Sequence, residues 1–330
     1  MKSISFSKGI EKDININIYM NYYEEFLSKY VSKYGSLLII DSSLKKYFNY
    51  NNNNIVFIKG GPEAKYFDRY VELCKLITNG DYSNIIVVGG GSLIDMVGFT
   101  YNTLDFPKAN LIAVPTTLSS MIYLPVSGEF NLDMNYTKNY LKVSGYPDLV
   151  YVDPYFCKFL DKTAMKKQFI FGYLVGLLFD KKFAELSLRY SKNFIKLDLE
   201  EYLYIAIKNV LSLYSNDLGF PGTRLSKFII EPDFKMNNFF VESECLSFIF
   251  LSYLSCKLGY LSGNNFEHLV SDIKSSLGFS NLPFKSLKAK KFSIPINEIL
   301  LTDDGFINYY INYTELEELL PEFKVFVRSA

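Results

Sequence analysis

The sequence predicts an α/β fold, with a parallel sheet in its first half and helices dominating its second. Three observations predict it. Short β-branched runs alternate with helical periodicity through the first half of the chain, which is the signature of strand–helix–strand units. One such run, Ile85-Ile86-Val87-Val88, breaks into Gly89-Gly90-Gly91 and resumes at helical spacing. Beyond Pro154 nearly every segment has helical periodicity.

Taken in order, the strand candidates are Ser36 to Asp41, Ile55 to Lys59, Ile85 to Val88, Leu111 to Val114 and Leu149 to Val152. Their continuous apolar character suits strands covered on both faces. Helices are expected over Tyr19 to Tyr34, Glu63 to Asn79 and Leu93 to Tyr101, where apolar residues recur at three and four. Right-handed crossovers then make the strands parallel and gather ligand contacts at their C-terminal ends. The three glycines let the backbone turn sharply and approach a ligand, with Ser92 and Leu93 opening a helix. The free N–H groups and positive dipole end of that helix favour a pyrophosphate. Further on, helices are expected over Met165 to Leu188, Leu199 to Asn216, Phe239 to Leu261 and Asn265 to Leu277. A hairpin-like pair, Glu298 to Leu301 and Ile307 to Ile311, flanks the turn Thr302-Asp303-Asp304-Gly305. The reading is a Rossmann-like, parallel-sheet nucleotide-binding domain over residues 1–153 and a mostly α-helical domain over 154–330.

Composition narrows the function. With 49% hydrophobic residues the chain can bury a real core, and 35 basic against 35 acidic residues suggest neither a nucleic-acid nor an acidic-membrane partner. Cys74, Cys157, Cys245 and Cys256 stand singly, as buried thiols do in a reducing compartment. The first residues lack the apolar core of a signal peptide, and the longest uncharged apolar run, Phe169 to Phe179, is well short of the roughly 20 residues of a membrane span. A soluble, cytoplasmic protein is the expectation. His268 is the one histidine, on an expected helix with polar neighbours, and reads as a solvated surface residue. Phe169, Phe171, Tyr173 and Phe179 read as core at helical spacing.

The motifs together resemble the 3-dehydroquinate synthases and related sugar-phosphate cyclases, which share a fold with iron-dependent alcohol dehydrogenases. The family's triple-glycine motif stands as Gly89-Gly90-Gly91-Ser92-Leu93-Ile94-Asp95, then Gly98-Phe99. Its Val-Pro-Thr-Thr-Leu stands as Val114-Pro115-Thr116-Thr117-Leu118, and the spacing continues through Asp133 and Lys138-Asn139 to Pro147. Asp41 matches an aspartate near the adenosine ribose, and Gly61-Pro62-Glu63-Ala64-Lys65 is similar to a Gly-Glu-x-x-Lys one residue longer. The resemblance implies NAD as cofactor. It implies cofactor contacts from Asp41, Glu63, Lys65, Gly89, Gly90, Gly91, Ser92, Asp95, Thr116, Thr117, Leu118 and Lys138. It also implies a homodimer, or a heteromer with an intact relative, and a small nucleotide or sugar phosphate as ligand.

The family's metal, zinc or cobalt held by one glutamate and two histidines, meets a different set of residues. Phe171 stands at the metal-binding glutamate, and Leu174 at the lysine three residues on. The Gly-His-Thr-Phe-Gly-His motif reads Gly222-Thr223-Arg224-Leu225-Ser226-Lys227, and the third histidine falls at Phe239 or Phe240. Phenyl groups and a threonine cannot replace nitrogen and carboxylate ligands, so no zinc or cobalt is expected. Without a Lewis acid the substrate alcohol keeps its high pKa, and dehydroquinate synthesis by the family route looks disabled. Glu129 replaces the lysine of the family's Gly-Gly-Lys, and Tyr123 replaces an aspartate six residues earlier. Tyr123, Glu129, Lys138, Asn139 and Lys290 are therefore pocket candidates without an assigned catalytic role, Glu129 being either a general base or a partner for Lys138. Three functions remain in view: a pseudoenzyme of the lyase family, a metal-independent cyclase or oxidoreductase on another phosphorylated polyol, and an active synthase with unconventional ligands.

Overall fold

The structure, a computed structural model, describes residues 2–7, 13–18, 22–31, 35–48, 54–105, 109–134, 137–193, 198–215, 218–230, 240–278 and 287–329. The chain forms two compact units. One comprises Met1–Asn135, Asn139–Met165 and Asp198–Lys208, and the other Tyr136–Lys138, Lys166–Leu197 and Asn209–Ala330. The change of sequence texture at Asp153–Pro154 lies inside the first unit. Asp153 is fully buried there, accepting hydrogen bonds from the backbone N–H groups of Tyr22, Tyr23 and Tyr155.

The first unit is built on strands β1 (Lys2–Ser7), β2 (Asp13–Ile18), β3 (Ser36–Asp41), β4 (Ile55–Ile58), β5 (Asn84–Gly89) and β6 (Asn110–Pro115), with β7 (Glu129–Met134), β8 (Thr137–Ser144) and β9 (Leu149–Val152) following. Seven of them form one sheet in the order β1-β2-β9-β6-β5-β3-β4, parallel except for β1. The five strands read from the sequence are there and parallel. The β1–β2 hairpin was not anticipated, because Asp-Ile-Asn-Ile-Asn-Ile alternates at an edge and lacks the continuous apolar run of a strand covered on both faces.

Helices α1 (Tyr23–Val31), α2 (Phe67–Thr78), α3 (Gly91–Thr103) and α4 (Leu118–Ser127) belong to this unit. The helix expected from Glu63 starts at Phe67 instead, because Pro62 opens a separate 3-10 turn, Pro62–Lys65. The centre of the sheet is dry: Leu37 to Ile40, Ile85 to Val88 and Leu111 to Val114 are buried. Each such side chain stabilises the fold by about 1.5–3 kcal/mol relative to exposure. β7 and β8 pair as a separate ribbon, and β7 packs on α3 at Gly98.

The second unit carries α6 (Ile170–Phe179), α7 (Lys181–Lys192), α9 (Thr223–Ile229), α10 (Phe240–Lys257), α11 (Gly263–Leu277) and α12 (Tyr313–Ser329). To these are added the antiparallel ribbon of β10 (Ile296–Thr302) and β11 (Gly305–Ile311). Helices α5 (Lys162–Gln168) and α8 (Leu199–Ser215) cross from one unit into the other. The single helix expected over Met165 to Leu188 is three. Asp180 restarts the chain by accepting the Phe183 N–H at 3.1 Å, and Gly176 brings α6 onto α7 so closely that a Cβ would lie 2.5 Å from the Ala184 nitrogen. Phe169, Phe171 and Tyr173 are buried as expected, whereas Phe179, last on α6, is 37% exposed and meets only the edge of Phe306 among the described aromatic rings.

A Cβ at Gly98 would lie 2.3 Å from the Phe130 ring. Gly98→Ala therefore forces α3 off β7, and urea unfolding should show a loss of about 1–3 kcal/mol despite alanine's better helix propensity.

Candidate functional site

The glycine loop sits at the C-terminal end of β5. Gly89 ends the strand, Gly90 is the N-cap of α3, and no side chain caps that helix. The helix begins at Gly91, one residue before the sequence expectation. None of the three glycines has a positive φ, so a sharp turn is not what demands them. Space is. A Cβ on Gly89 would lie 2.8 Å from Leu93, and one on Gly90 3.2 Å from the Thr117 methyl, while at Gly91 it would make only ordinary contacts. The uncapped N-terminus of this 13-residue helix leaves first-turn N–H groups for an anion.

Other sequence candidates gather along the same sheet edge. The Thr116 N–H bonds the Gly89 carbonyl at 2.9 Å, joining the ends of β6 and β5. Thr117 is the N-cap of α4 in a capping box with Ser120, so its hydroxyl already has a structural partner, and Leu118 is fully buried in the core. Asp41 ends β3 and accepts the Ser43 N–H at 3.0 Å. Gly60 makes room for it, since a Cβ there would lie 2.0 Å from its carboxylate. Glu63 is exposed and bonds Lys59 at 2.7 Å, which holds its carboxyl below the usual range.

Lys65 and Asp95 are close partners. The Lys65 ammonium is buried, 2.7 Å from Asp95 and 3.8 Å from Asp133, and it donates to the Asn139 side-chain carbonyl. Burial is the main influence on Asp95 and raises its pKa, opposed by Lys65 and by the Asn131 backbone N–H and reinforced by Asp133. Asn139, a pocket candidate, is the one described non-glycine residue with a positive φ, at 54°. Its N–H donates to Asp133 at 2.8 Å.

The remaining candidates are scattered. Glu129 pairs with Lys142 at 2.8 Å. Lys138 is the second residue of β8, and its side chain lies outside the described residues. Tyr123 is half-buried on α4. Lys290 belongs to the second unit, where its backbone N–H bonds the Phe228 carbonyl at 2.8 Å. His268 is exposed on α11.

In the second unit, Phe171, which the resemblance sets at the family's glutamate, is buried edge-on against Phe220 at 5.0 Å, and Leu174 is fully buried. Thr223 is the first residue of α9. Phe239 lies outside the described residues, as does the side chain of Phe240. Among the described residues no three histidine, cysteine or acidic side chains come together to hold a metal ion. A benzyl group, an isobutyl group and a hydroxyl do not fit a zinc or cobalt ion.

Sequence reasoning missed three buried carboxylates here. Glu242, on α10, bonds Lys167 at 3.1 Å, and Glu244, on the same helix, accepts from the Ser226 hydroxyl at 3.1 Å. Glu298, on β10, accepts the N–H groups of Gly222 at 3.2 Å and Leu225 at 2.6 Å, holding the turn into α9. Its signal was a lone charge inside the apolar run Ile296 to Leu301. Burial pushes its pKa up to about 7 against the pull of those N–H groups and Arg224.

A parallel sheet whose glycine loop leads into an uncapped helix defines an α/β protein with a Rossmann-like unit. Residues 55–167 match the family described as 3-dehydroquinate synthase N-terminal. The 3-dehydroquinate synthase of Sulfolobus acidocaldarius is 29% identical over 169 residues, covering 49% of this chain and 48% of that protein. The chain thus matches about half the length of this curated relative. In fold it is similar to 2-deoxy-scyllo-inosose synthase (TM-score 0.75, 16% identity, 97% of this chain and 99% of the other). It is also similar to 2-epi-5-epi-valiolone synthase from Streptomyces hygroscopicus subsp. jinggangensis 5008 with NAD+ and Zn2+ bound (TM-score 0.67, 17% identity, 84% and 83%). The chain is similar in sequence to the dehydroquinate synthases over its matched region, and similar in fold to a sugar-phosphate cyclase over nearly its whole length.

Because Glu298 has a higher pKa folded than unfolded, its contribution to stability is fully present below the unfolded value of 4.5 and is lost as pH rises through about 7. Melting temperature should fall over that window by an amount corresponding to roughly 3 kcal/mol. Glu298→Gln should flatten the dependence, which a pH series of thermal melts reads directly.

Proposed function

We propose that this protein is a non-catalytic or catalytically altered dehydroquinate synthase homologue that binds NAD(H) and has given up the metal-dependent reaction of its relatives. The observation that carries the reading is the contrast between an open glycine-loop helix terminus and a buried phenylalanine, Phe171, in place of a metal ligand. NAD, when bound, supplies a hydride acceptor. The chain's own part is to hold it: first-turn N–H groups of α3 for the pyrophosphate, Asp41 for a ribose, and the Thr116–Thr117 segment along the same edge. The 2-epi-5-epi-valiolone synthase of similar fold, with NAD+ bound, supports that choice of cofactor.

On this reading the protein works in the cytoplasm as a ligand sensor or as a partner of an intact relative, as homodimer or heteromer. The second reading, a metal-independent cyclase or oxidoreductase on a phosphorylated polyol, needs Glu129, Lys138 or Tyr123 for proton transfer. Of these, the Glu129 carboxylate is tied to Lys142.

Thermal unfolding with NAD at about 100 times its Kd should show stabilisation of roughly 2.7 kcal/mol. Metal analysis of the purified protein should show no stoichiometric zinc or cobalt, and no dehydroquinate should form from the phosphorylated seven-carbon substrate. One ion per chain together with turnover would falsify the proposal, and absence of any shift with NAD would remove its nucleotide half.

A further inference from the structure

Lysine beside a phosphate-binding loop is ordinarily read as a phosphate ligand, and the motif Gly61-Pro62-Glu63-Ala64-Lys65 invites that reading. The geometry points elsewhere. The Lys65 side chain is 8% exposed, and its ammonium lies 2.7 Å from Asp95 on α3 and 3.8 Å from Asp133 on β7. One positive charge already faces two carboxylates, so an incoming phosphate would meet net negative charge. A second donor of the ammonium goes to the Asn139 side chain.

Asn139 is the second half of the argument. Its φ of 54° is a left-handed backbone that a non-glycine residue holds only when its surroundings over-determine it. Those surroundings are visible. The Asn139 N–H donates to Asp133 at 2.8 Å, its side-chain carbonyl accepts from Lys65, and Lys65 is anchored to the first turns of α3 through Asp95. Asp95 stands four residues along the helix from Gly91, so the same helix presents the glycine loop and secures the lysine. The cluster joins Lys65 of the 3-10 turn, Asp95 of α3, Asp133 of β7 and Asn139 of β8, four residues of the first unit.

We infer that Lys65 is a positioning residue of the nucleotide site, holding Asn139 and the start of β8 in place against α3, and is not itself a phosphate ligand. The inference rests on the reading that this loop binds NAD, and it separates two roles the motif leaves indistinguishable.

The test uses the full-length protein and the variants Lys65→Met, Lys65→Met/Asn139→Gly and Asp95→Asn. NAD affinity is measured by calorimetry, and hydrogen exchange is followed at the Asn139 amide. Lys65→Met should weaken NAD by about tenfold or more and strip protection from the Asn139 N–H, and Asn139→Gly in that background should restore much of the affinity, because glycine adopts the left-handed turn without help. Asp95→Asn, which keeps volume if Lys65→Met does not fold, should weaken NAD as well. Loss of affinity in Lys65→Met with Asn139 protection unchanged and no rescue by glycine overturns the inference. So does tighter NAD binding in Asp95→Asn, the result expected of a phosphate-binding lysine released from an internal partner. If the parent protein binds no NAD, the nucleotide proposal fails by itself. The exchange measurement then still decides whether Lys65 holds Asn139, unchanged protection counting against it and lost protection for it.

Discussion

The structure depends on strands that have no wet face. Residues Leu37 to Ile40, Ile85 to Val88 and Leu111 to Val114 are all buried, so both sides of the sheet must be covered by helices and every connection must leave from a strand end. The polar groups that remain, whether for structure or for a ligand, are therefore concentrated at those ends. Asp41, Gly60, Gly89, Thr116 and Thr117 all lie there, packed closely enough that Gly60 and Gly89 leave no room for a methyl group.

The glycine loop has a different rationale from the one its composition suggests. Glycine is usually invoked for backbone conformations that other residues avoid, yet residues 89–91 have ordinary φ angles. What they provide is proximity: β5 to Leu93 and to Asp41 at one end, the loop to Thr117 at the other. The helix terminus this exposes is left without a side-chain cap, while the next helix, α4, is capped by Thr117 and Ser120. The unequal treatment of two neighbouring helix ends agrees with an anion being the missing partner of the first.

Buried charge is handled in two ways. In the first, Lys65 bonds Asp95 and lies 3.8 Å from Asp133, an arrangement whose loss on one side leaves an uncompensated buried charge. In the second, Glu298 has backbone N–H groups as partners, and its high pKa shows that they only partly offset burial. Phe171 and Leu174, which the family resemblance sets at the metal site, are buried, and a hydrocarbon surface has packing to contribute and no lone pair.

The sequence by itself determined the parallel strands, the β10–β11 ribbon and the glycine-loop helix. Each of these is written in local residue type or in periodicity. Ile85 to Gly91 announces a buried strand and its exit, and Phe171 excludes coordination whatever its neighbours are. Only the tertiary structure decided that the N-terminal segment pairs into the sheet edge, that Met165 to Leu188 breaks into three helices, and that Lys65 faces Asp95, Asp133 and Asn139. Those outcomes join residues as far apart in sequence as Asn15 and Leu149, and a charge's role is set by which partners folding brings within a few ångströms of it.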